Sequence, residues 1–120
     1  SSSVFEPVRQ SLATGKPIPW RRVNELPDFV YFNHSIHVNK GVGCETCHGR
    51  IDQMSQVHQA ASLTMGWCVS CHVNPGPNLR PLTAITTMGW TPTKSDLDQM
   101  KTLTADFKIK RLTNCSTCHR

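Results

Sequence analysis

Apolar residues recur with a helical period in only a few short stretches of this chain. Their spacing at positions 51, 54, 57 and 61 predicts one helix over residues 51–61. A second helix is predicted over residues 7–13, because Pro7 can occupy its first turn and Gly15 lies just past its end. The pattern is broken between such stretches, which predicts short helices joined by irregular segments.

The second half of the chain shows the same mixture. A helix is predicted over residues 96–104, with Ser95 as its cap and its apolar positions 97 and 100 facing inward. Residues 76–94 contain prolines at 77, 81 and 92, and they are predicted to form a long irregular connection. Apolar and basic side chains alternate over residues 107–110, which indicates an extended run.

Residues 28–38 combine a strand signal with a helix signal. Residues 28–32 read Asp-Phe-Val-Tyr-Phe and are strongly β-prone. Asn33 follows and is a plausible N-cap for a short helix. Two histidines, His34 and His37, would then lie three positions apart on one face of that helix.

Length and composition indicate one small domain with a modest apolar supply. The chain has 120 residues, of which 38% are hydrophobic and 7% aromatic. We predict a division into an N-terminal arm over residues 1–27, a possible docking segment, and a domain over residues 28–120. No stretch approaches the 18 or so apolar residues of a membrane span.

The charge balance is mildly basic, with 13 Lys and Arg against 8 Asp and Glu, for a net charge of +5. The basic residues are scattered, and no cluster of aromatic and basic residues indicates a stacking platform, so nucleic acid is not an expected partner. The chain opens with three serines and shows no signal peptide. The cysteine motifs of the next paragraph are of a kind that is modified outside the cytoplasm. We therefore expect that a targeting or anchoring segment was removed, or lies upstream of the sequence given.

One pentapeptide pattern, Cys-x-x-Cys-His, occurs three times and contains every cysteine of the chain. This is the attachment pattern of c-type haem. Two thiols three positions apart on a helical turn can each bond one vinyl group of the haem, and the adjacent imidazole then faces the iron. The predicted attachment residues are Cys44, Cys47, Cys68, Cys71, Cys115 and Cys118, and the predicted proximal iron ligands are His48, His72 and His119. Three covalently bound haem c groups would form the core of the fold.

These cysteines have three alternative functions. Cys44, Cys47, Cys68 and Cys71 alone fit a common zinc-binding spacing. Cysteine pairs of this kind also occur as dithiol redox sites or in disulfide frameworks. None of these alternatives explains a histidine after every pair, so haem attachment is favoured.

Three histidines, His34, His37 and His58, are left over for three haems, so each iron can have a second protein ligand. An iron held by two imidazoles has no open position, which favours electron transfer over catalysis or ligand sensing. The competing sixth ligands are the methionines, among which Met65 is the best candidate; the others are Met54, Met88 and Met100. A haem enzyme or sensor with one open iron is the alternative.

The segment Phe32 to Val38, followed by the first attachment motif, resembles the opening of the class III multihaem cytochromes c, including the small tri-haem members. The resemblance implies a small, mostly α and irregular multihaem cytochrome c fold. It also implies that the leftover histidines pair with the motifs in chain order. His34 then pairs with His48, His37 with His72, and His58 with His119.

A narrower resemblance covers residues 14–72. The stretches 15–20, 26–34 and 63–68 resemble the later haem-binding half of the multihaem cytochrome subunit of alternative complex III and related quinol-oxidising complexes. This resemblance implies redox partners that include an iron–sulfur and molybdopterin-like subunit and membrane subunits. The expected function is electron transfer in a membrane-associated respiratory complex, in the periplasm or at the outer face of the cytoplasmic membrane. A diffusible periplasmic shuttle is the alternative.

Overall fold

Six short α-helices and four 3₁₀ turns make up about half of the chain in the computed structural model, which describes residues 2–120. The helices are α1 (Glu6–Thr14), α2 (His34–Asn39), α3 (Cys44–His48), α4 (Met65–Val73), α5 (Lys94–Asp106) and α6 (Cys115–Cys118). The 3₁₀ turns are Ser3–Phe5, Ile51–Gln53, Gly76–Asn78 and Leu82–Ala84. Within the described residues there is no strand, and two isolated bridges link Val30 with His119 and Val42 with Leu79.

The first helix begins and ends, and the second begins, where the sequence predicts. Pro7 lies in the first turn of α1, and Gly15 closes its last turn with a left-handed φ of 67°. The Asn33 side chain caps α2 by accepting hydrogen bonds from the backbone N–H groups of Ser35 and Ile36.

Two of the predicted elements are wrong. Residues 51–61 form only the turn Ile51–Gln53, and residues 54–60 are then irregular and mostly exposed. No helix forms there because these apolar side chains find no buried surface to face, and packing supplies most of the stability of a short helix. Residues 28–32 contribute a single bridge at Val30 instead of a strand, since no second strand lies beside them.

Helix α5 starts two residues earlier than predicted. Its N-cap is Thr93 instead of Ser95, in a capping box with Asp96. Leu103 is its buried residue, whereas Leu97, predicted to face inward, is 50% exposed. The extended run predicted over residues 107–110 is interrupted because Lys108 has a left-handed φ of 51°.

The polypeptide alone buries very few side chains. Its buried apolar residues are Leu79, Ala84, Ile85 and Leu103, three of them in the irregular connection between α4 and α5. The accessible surface is 9081 Å², whereas a globular chain of 13.4 kDa has about 6,500 Å². The radius of gyration is 17.9 Å, against about 13.6 Å for a close-packed chain of this length.

These values confirm the predicted class, a small fold of short helices and irregular segments that does not close around a protein core of its own. Among the described residues, no helix has the length and apolar character needed to cross a membrane. The division between an arm over residues 1–27 and a domain over residues 28–120 stays a prediction.

Candidate functional site

Each of the three cysteine motifs lies on a helical turn. The first motif forms α3 entirely, the second forms the last five residues before Val73 in α4, and the third forms α6 and the residue after it. In a helix, side chains three positions apart share a face, so both thiols of each motif lie on the same side. This is the arrangement that attachment to two vinyl groups at one edge of a haem requires.

The chain turns sharply after the first motif, at Gly49. Gly49 has φ 64° and ψ −162°, a conformation that only glycine adopts readily. A Cβ atom at this position would lie 2.8 Å from the Cβ of Ala60. Glycine therefore allows residues 54–60 to pass close beside His48.

The ring of His34 faces the ring of His48. Their centroids are 6.4 Å apart, and the ring planes make an angle of 62°. His34 is the first residue of α2, and His48 is the last residue of α3. The short connection around Gly41 turns the chain so that the two helices present these imidazoles to each other.

A second pair, His37 and His72, has nearly the same separation. Their ring centroids are 6.1 Å apart, with an interplanar angle of 52°. Phe32 packs beside His37 at 4.6 Å and holds one side of its ring.

Both separations fit a single metal ion between two imidazoles. A metal-bound imidazole nitrogen lies about 2 Å from the ion, so two rings on opposite sides of the ion have centroids roughly 6 Å apart. Among residues 2–120, no group of three or more His, Cys, Asp or Glu side chains could hold a metal ion by themselves. The donor set of two histidines therefore fits an iron whose other ligands come from a macrocycle.

Hydrogen bonds to carbonyl oxygens fix the tautomer of both second-pair histidines. His37 Nδ1 lies 2.8 Å from the Asn33 carbonyl oxygen, and His72 Nδ1 lies 2.8 Å from that of Leu112. A carbonyl oxygen can only accept, so in each neutral ring Nδ1 carries the proton. The unprotonated Nε2 is then free to bind a metal, the usual arrangement for a histidine ligand.

The third motif has a different neighbourhood. His119 pairs with Val30 in a backbone bridge, and its ring lies 5.7 Å from the ring of Phe29. In the described part of the chain, the ring contact of His119 is with Phe29 and not with His58. His58 is exposed in the irregular segment after α3, and its Nδ1 lies 3.3 Å from the Gln56 carbonyl oxygen. The structure thus brings two of the three predicted histidine pairs together.

The three motifs are close enough for their thiols to affect one another. Burial raises the pKa of the Cys47 thiol, and the neighbouring thiols of Cys71 and Cys68 raise it further. Burial also raises the pKa of Cys68, with Cys118 of the third motif adding to the effect. The same cause raises the pKa of Cys71, although the Asn78 amide donates to its sulfur at 3.5 Å and lowers it in part.

All six cysteines are free thiols in the structure, so none is joined to another in a disulfide. Met65, the best competing iron ligand by sequence, is 70% exposed and is the first residue of α4.

An ion-pair cluster around the first motif was not found by sequence reasoning. Glu45, inside that motif, accepts from Arg80 at 3.2 Å and from the backbone N–H of Gly89 at 3.0 Å. Arg80 also stacks over the ring of Trp90 at 5.2 Å. These contacts hold the connection between α4 and α5 against α3. The sequence gives no sign of the cluster, because its residues are up to 45 positions apart.

A second contact that the sequence does not mark is made by Asn24. Its side-chain amide lies 3.4 Å from Nδ1 of His48. The amide nitrogen Nδ2 is the atom at that distance, so Asn24 donates to Nδ1 of His48. Asn24 comes from the predicted arm, so that segment reaches the first motif.

The comparisons with known proteins agree with this geometry. The family model of cytochrome c7 and related cytochrome c matches residues 30–120. The matched part contains all three cysteine motifs and all six histidines. No curated protein matches the chain.

Proposed function

The chain belongs to the family of cytochrome c7 and related cytochromes c, and from this premise we propose that it relays electrons through three covalently attached haems. Family membership by itself supports electron transfer by a multihaem cytochrome in general. The number of haems, the residues that hold them and the partners are our proposal. We propose an electron carrier and not an enzyme in its own right.

The cysteine pairs of the three motifs would form the thioether bonds, and His48, His72 and His119 would be the proximal ligands. Bound haem supplies an iron that gains and loses one electron. The histidines would hold each iron through a ring nitrogen, and the hydrogen bonds from Nδ1 of His37 and His72 to backbone carbonyls would limit the movement of those two ligands. Ligands that move little favour fast electron transfer, because few atoms must rearrange when the iron changes its oxidation state.

The main support for this proposal is two pairs of neighbouring imidazoles, with ring centroids 6.4 and 6.1 Å apart. Each pair consists of one upstream histidine and one motif histidine. We propose His34 and His37 as the second ligands of the first two irons. For the third iron we propose His58, on the count of histidines and because its bond to Gln56 leaves Nε2 free.

We further propose that the protein works as a subunit of a membrane-associated, quinol-oxidising complex in the periplasm or at the outer face of the cytoplasmic membrane. The support is the residue-level resemblance over residues 14–72 and the exposed apolar side chains of the segment before Asn24. An iron–sulfur and molybdopterin-like subunit and membrane subunits are the proposed partners. A diffusible shuttle would not need such an apolar segment.

Haem content tests the first part of the proposal. The chain is produced in a host that attaches haem c, and the haem is measured per polypeptide from the pyridine haemochrome spectrum in alkali. We expect three haems per chain, and changing both cysteines of one motif, as in Cys68→Ser combined with Cys71→Ser, should lower the count by one. Zinc without haem iron would overturn the proposal.

Fractionation of native cells tests the second part. We expect the protein to stay with membranes and other polypeptides when cells are broken without detergent. Recovery of free protein in the aqueous fraction would reject the fixed subunit and leave the shuttle.

A further inference from the structure

The N-terminal segment presents an apolar face that nothing in the described chain covers. Helix α1 buries none of its residues, and the turn before it is equally open. The exposed fractions are 77% for Val4, 60% for Phe5, 53% for Val8, 87% for Leu12 and 83% for Trp20. Val8 and Leu12 are one turn of α1 apart and line one side of it, and Val4 lies in the 3₁₀ turn just before the helix; we call these three exposed side chains the apolar face.

The other side of α1 is polar and satisfied within the helix. Glu6 and Arg9 form an ion pair at 2.6 Å, and the Gln10 amide donates to Glu6 at 3.3 Å. The helix is thus amphipathic, with a polar side suited to water and an apolar side that water does not favour.

Basic side chains continue from the end of α1. Lys16, Arg21 and Arg22 are exposed and form no ion pair within residues 2–120. The Ser11 hydroxyl donates to the Lys16 carbonyl at 2.7 Å and holds this turn against the helix. The exposed Trp20 directly precedes the two arginines, so an indole and two guanidinium groups are adjacent in the sequence at this end of the segment.

We propose that residues 4–22 lie in the headgroup region of an anionic lipid membrane. An apolar helix face beside a tryptophan and basic residues is the composition of segments that bind flat at a membrane surface. The indole has an apolar body and a polar N–H, and the arginines match anionic headgroups. Binding inside a closed protein groove would desolvate these unpaired cations, which costs free energy. The anionic headgroups of a lipid layer would instead neutralise their charge.

The family match begins at residue 30, so this segment lies outside the part of the chain that the family accounts for. The inference rests on the proposed membrane location and makes it more specific, because the lipid itself, and not only a partner subunit, is the surface bound. It can be tested on the isolated protein, since no other polypeptide is required.

The first test measures how much holoprotein sediments with dense vesicles of phosphatidylcholine containing 30% phosphatidylglycerol, with the haem absorbance as readout. We expect binding to these vesicles and little to pure phosphatidylcholine. Leu12→Gln should lower the partition coefficient about tenfold. Leu97→Gln, the same change at an exposed helical position outside the segment, is the matched control and should leave binding unchanged.

The second test concerns the basic residues. Arg21→Gln combined with Arg22→Gln should weaken binding to the anionic vesicles roughly thirtyfold, at about fivefold for each charge near the surface. Lys108→Gln combined with Lys110→Gln removes the same charge from exposed positions elsewhere and should have little effect.

Failure of this inference can be told apart from failure of the proposed function. A protein that carries haem but does not sediment with anionic vesicles overturns the membrane segment alone. Equal losses from the test variants and their controls would also overturn it, because binding would then follow overall charge or apolarity. A protein without haem would reject the proposed function itself.

Discussion

At the scale of single residues, the site depends on histidines whose second ring nitrogen is already engaged. His37 and His72 each donate from Nδ1 to a backbone carbonyl at 2.8 Å. Such bonds set the ring orientation and make Nε2 a better ligand. The carbonyl partners belong to Asn33, four positions before His37, and to Leu112, 40 positions after His72, so backbone carbonyls from near and far in the sequence orient these two rings.

Removing one upstream histidine should open one iron and leave the others closed. In His37→Ala, the reduced protein is expected to bind carbon monoxide at one haem per chain, whereas the unchanged protein binds none. Ile36→Ala alters the exposed neighbour in the same helix and is the matched control. A carbon monoxide titration followed by absorbance checks this, and an unchanged His37→Ala spectrum would rule out His37 as a ligand.

At the scale of elements, short helices place the ligands and glycines set the turns between them. Helix α2 has only six residues and is held by the Asn33 cap. Helix α3 is followed at once by Gly49, which has a positive φ and close contact with Ala60. The turn after His48 therefore depends on the absence of a side chain.

Gly49→Ala should destabilise the holoprotein by about 3 kcal/mol, because it combines an unfavourable backbone conformation with a collision. Gly15→Ala is the control, since Gly15 has a similar φ of 67° but nothing within 4 Å of its Cβ position. That change should cost only about 1 kcal/mol. Denaturant unfolding of the two variants measures the difference, and equal costs would show that the contact with Ala60 is unimportant.

The sequence predicted those elements that have a local cause. Asn33 and Gly15 act on the backbone within a few residues, so their caps could be read directly. The prediction of a helix over residues 51–61 is wrong: the apolar residues have helical spacing, but no apolar surface of the protein lies where the helix could pack. The strand over residues 28–32 failed for the same kind of reason, since β-prone residues need a neighbouring strand.

The candidate site was predictable to the same extent. Motif spacing identified the attachment residues as candidates, and the count of histidines identified the upstream partners. The contacts of Arg80 with Glu45 and of Asn24 with His48 could not be predicted, because they join positions 24 to 35 residues apart. The neighbourhood of His119 also depends on long-range contacts, and the assignment of His58 to it stays a prediction.

At the scale of the whole molecule, the chain exposes far more surface than a protein of its size with its own core. The 9081 Å² of accessible surface and the 17.9 Å radius of gyration describe an open framework. In such a chain the binding energy of the prosthetic groups is a large part of the folding energy. The three motifs lie close together, which places the groups they hold within a single cluster.

The chain without haem should therefore not fold cooperatively. In a variant with all six cysteines changed to serine, we expect weak helical circular dichroism and no sigmoidal thermal transition. The holoprotein, measured in the same buffer, is the control and should unfold in a single transition. A cooperative transition in the cysteine-free chain would show that the polypeptide has a sufficient core of its own.

Irons that are each held by two imidazoles would serve conduction and not catalysis. Near-infrared magnetic circular dichroism of the oxidised holoprotein can test this ligation, since its charge-transfer band distinguishes two imidazole ligands from imidazole with a thioether and from high-spin iron. We predict the bis-imidazole band with an intensity of three irons per chain. A thioether or high-spin band with the intensity of two or more irons would contradict the pairing of His34 with His48 or of His37 with His72.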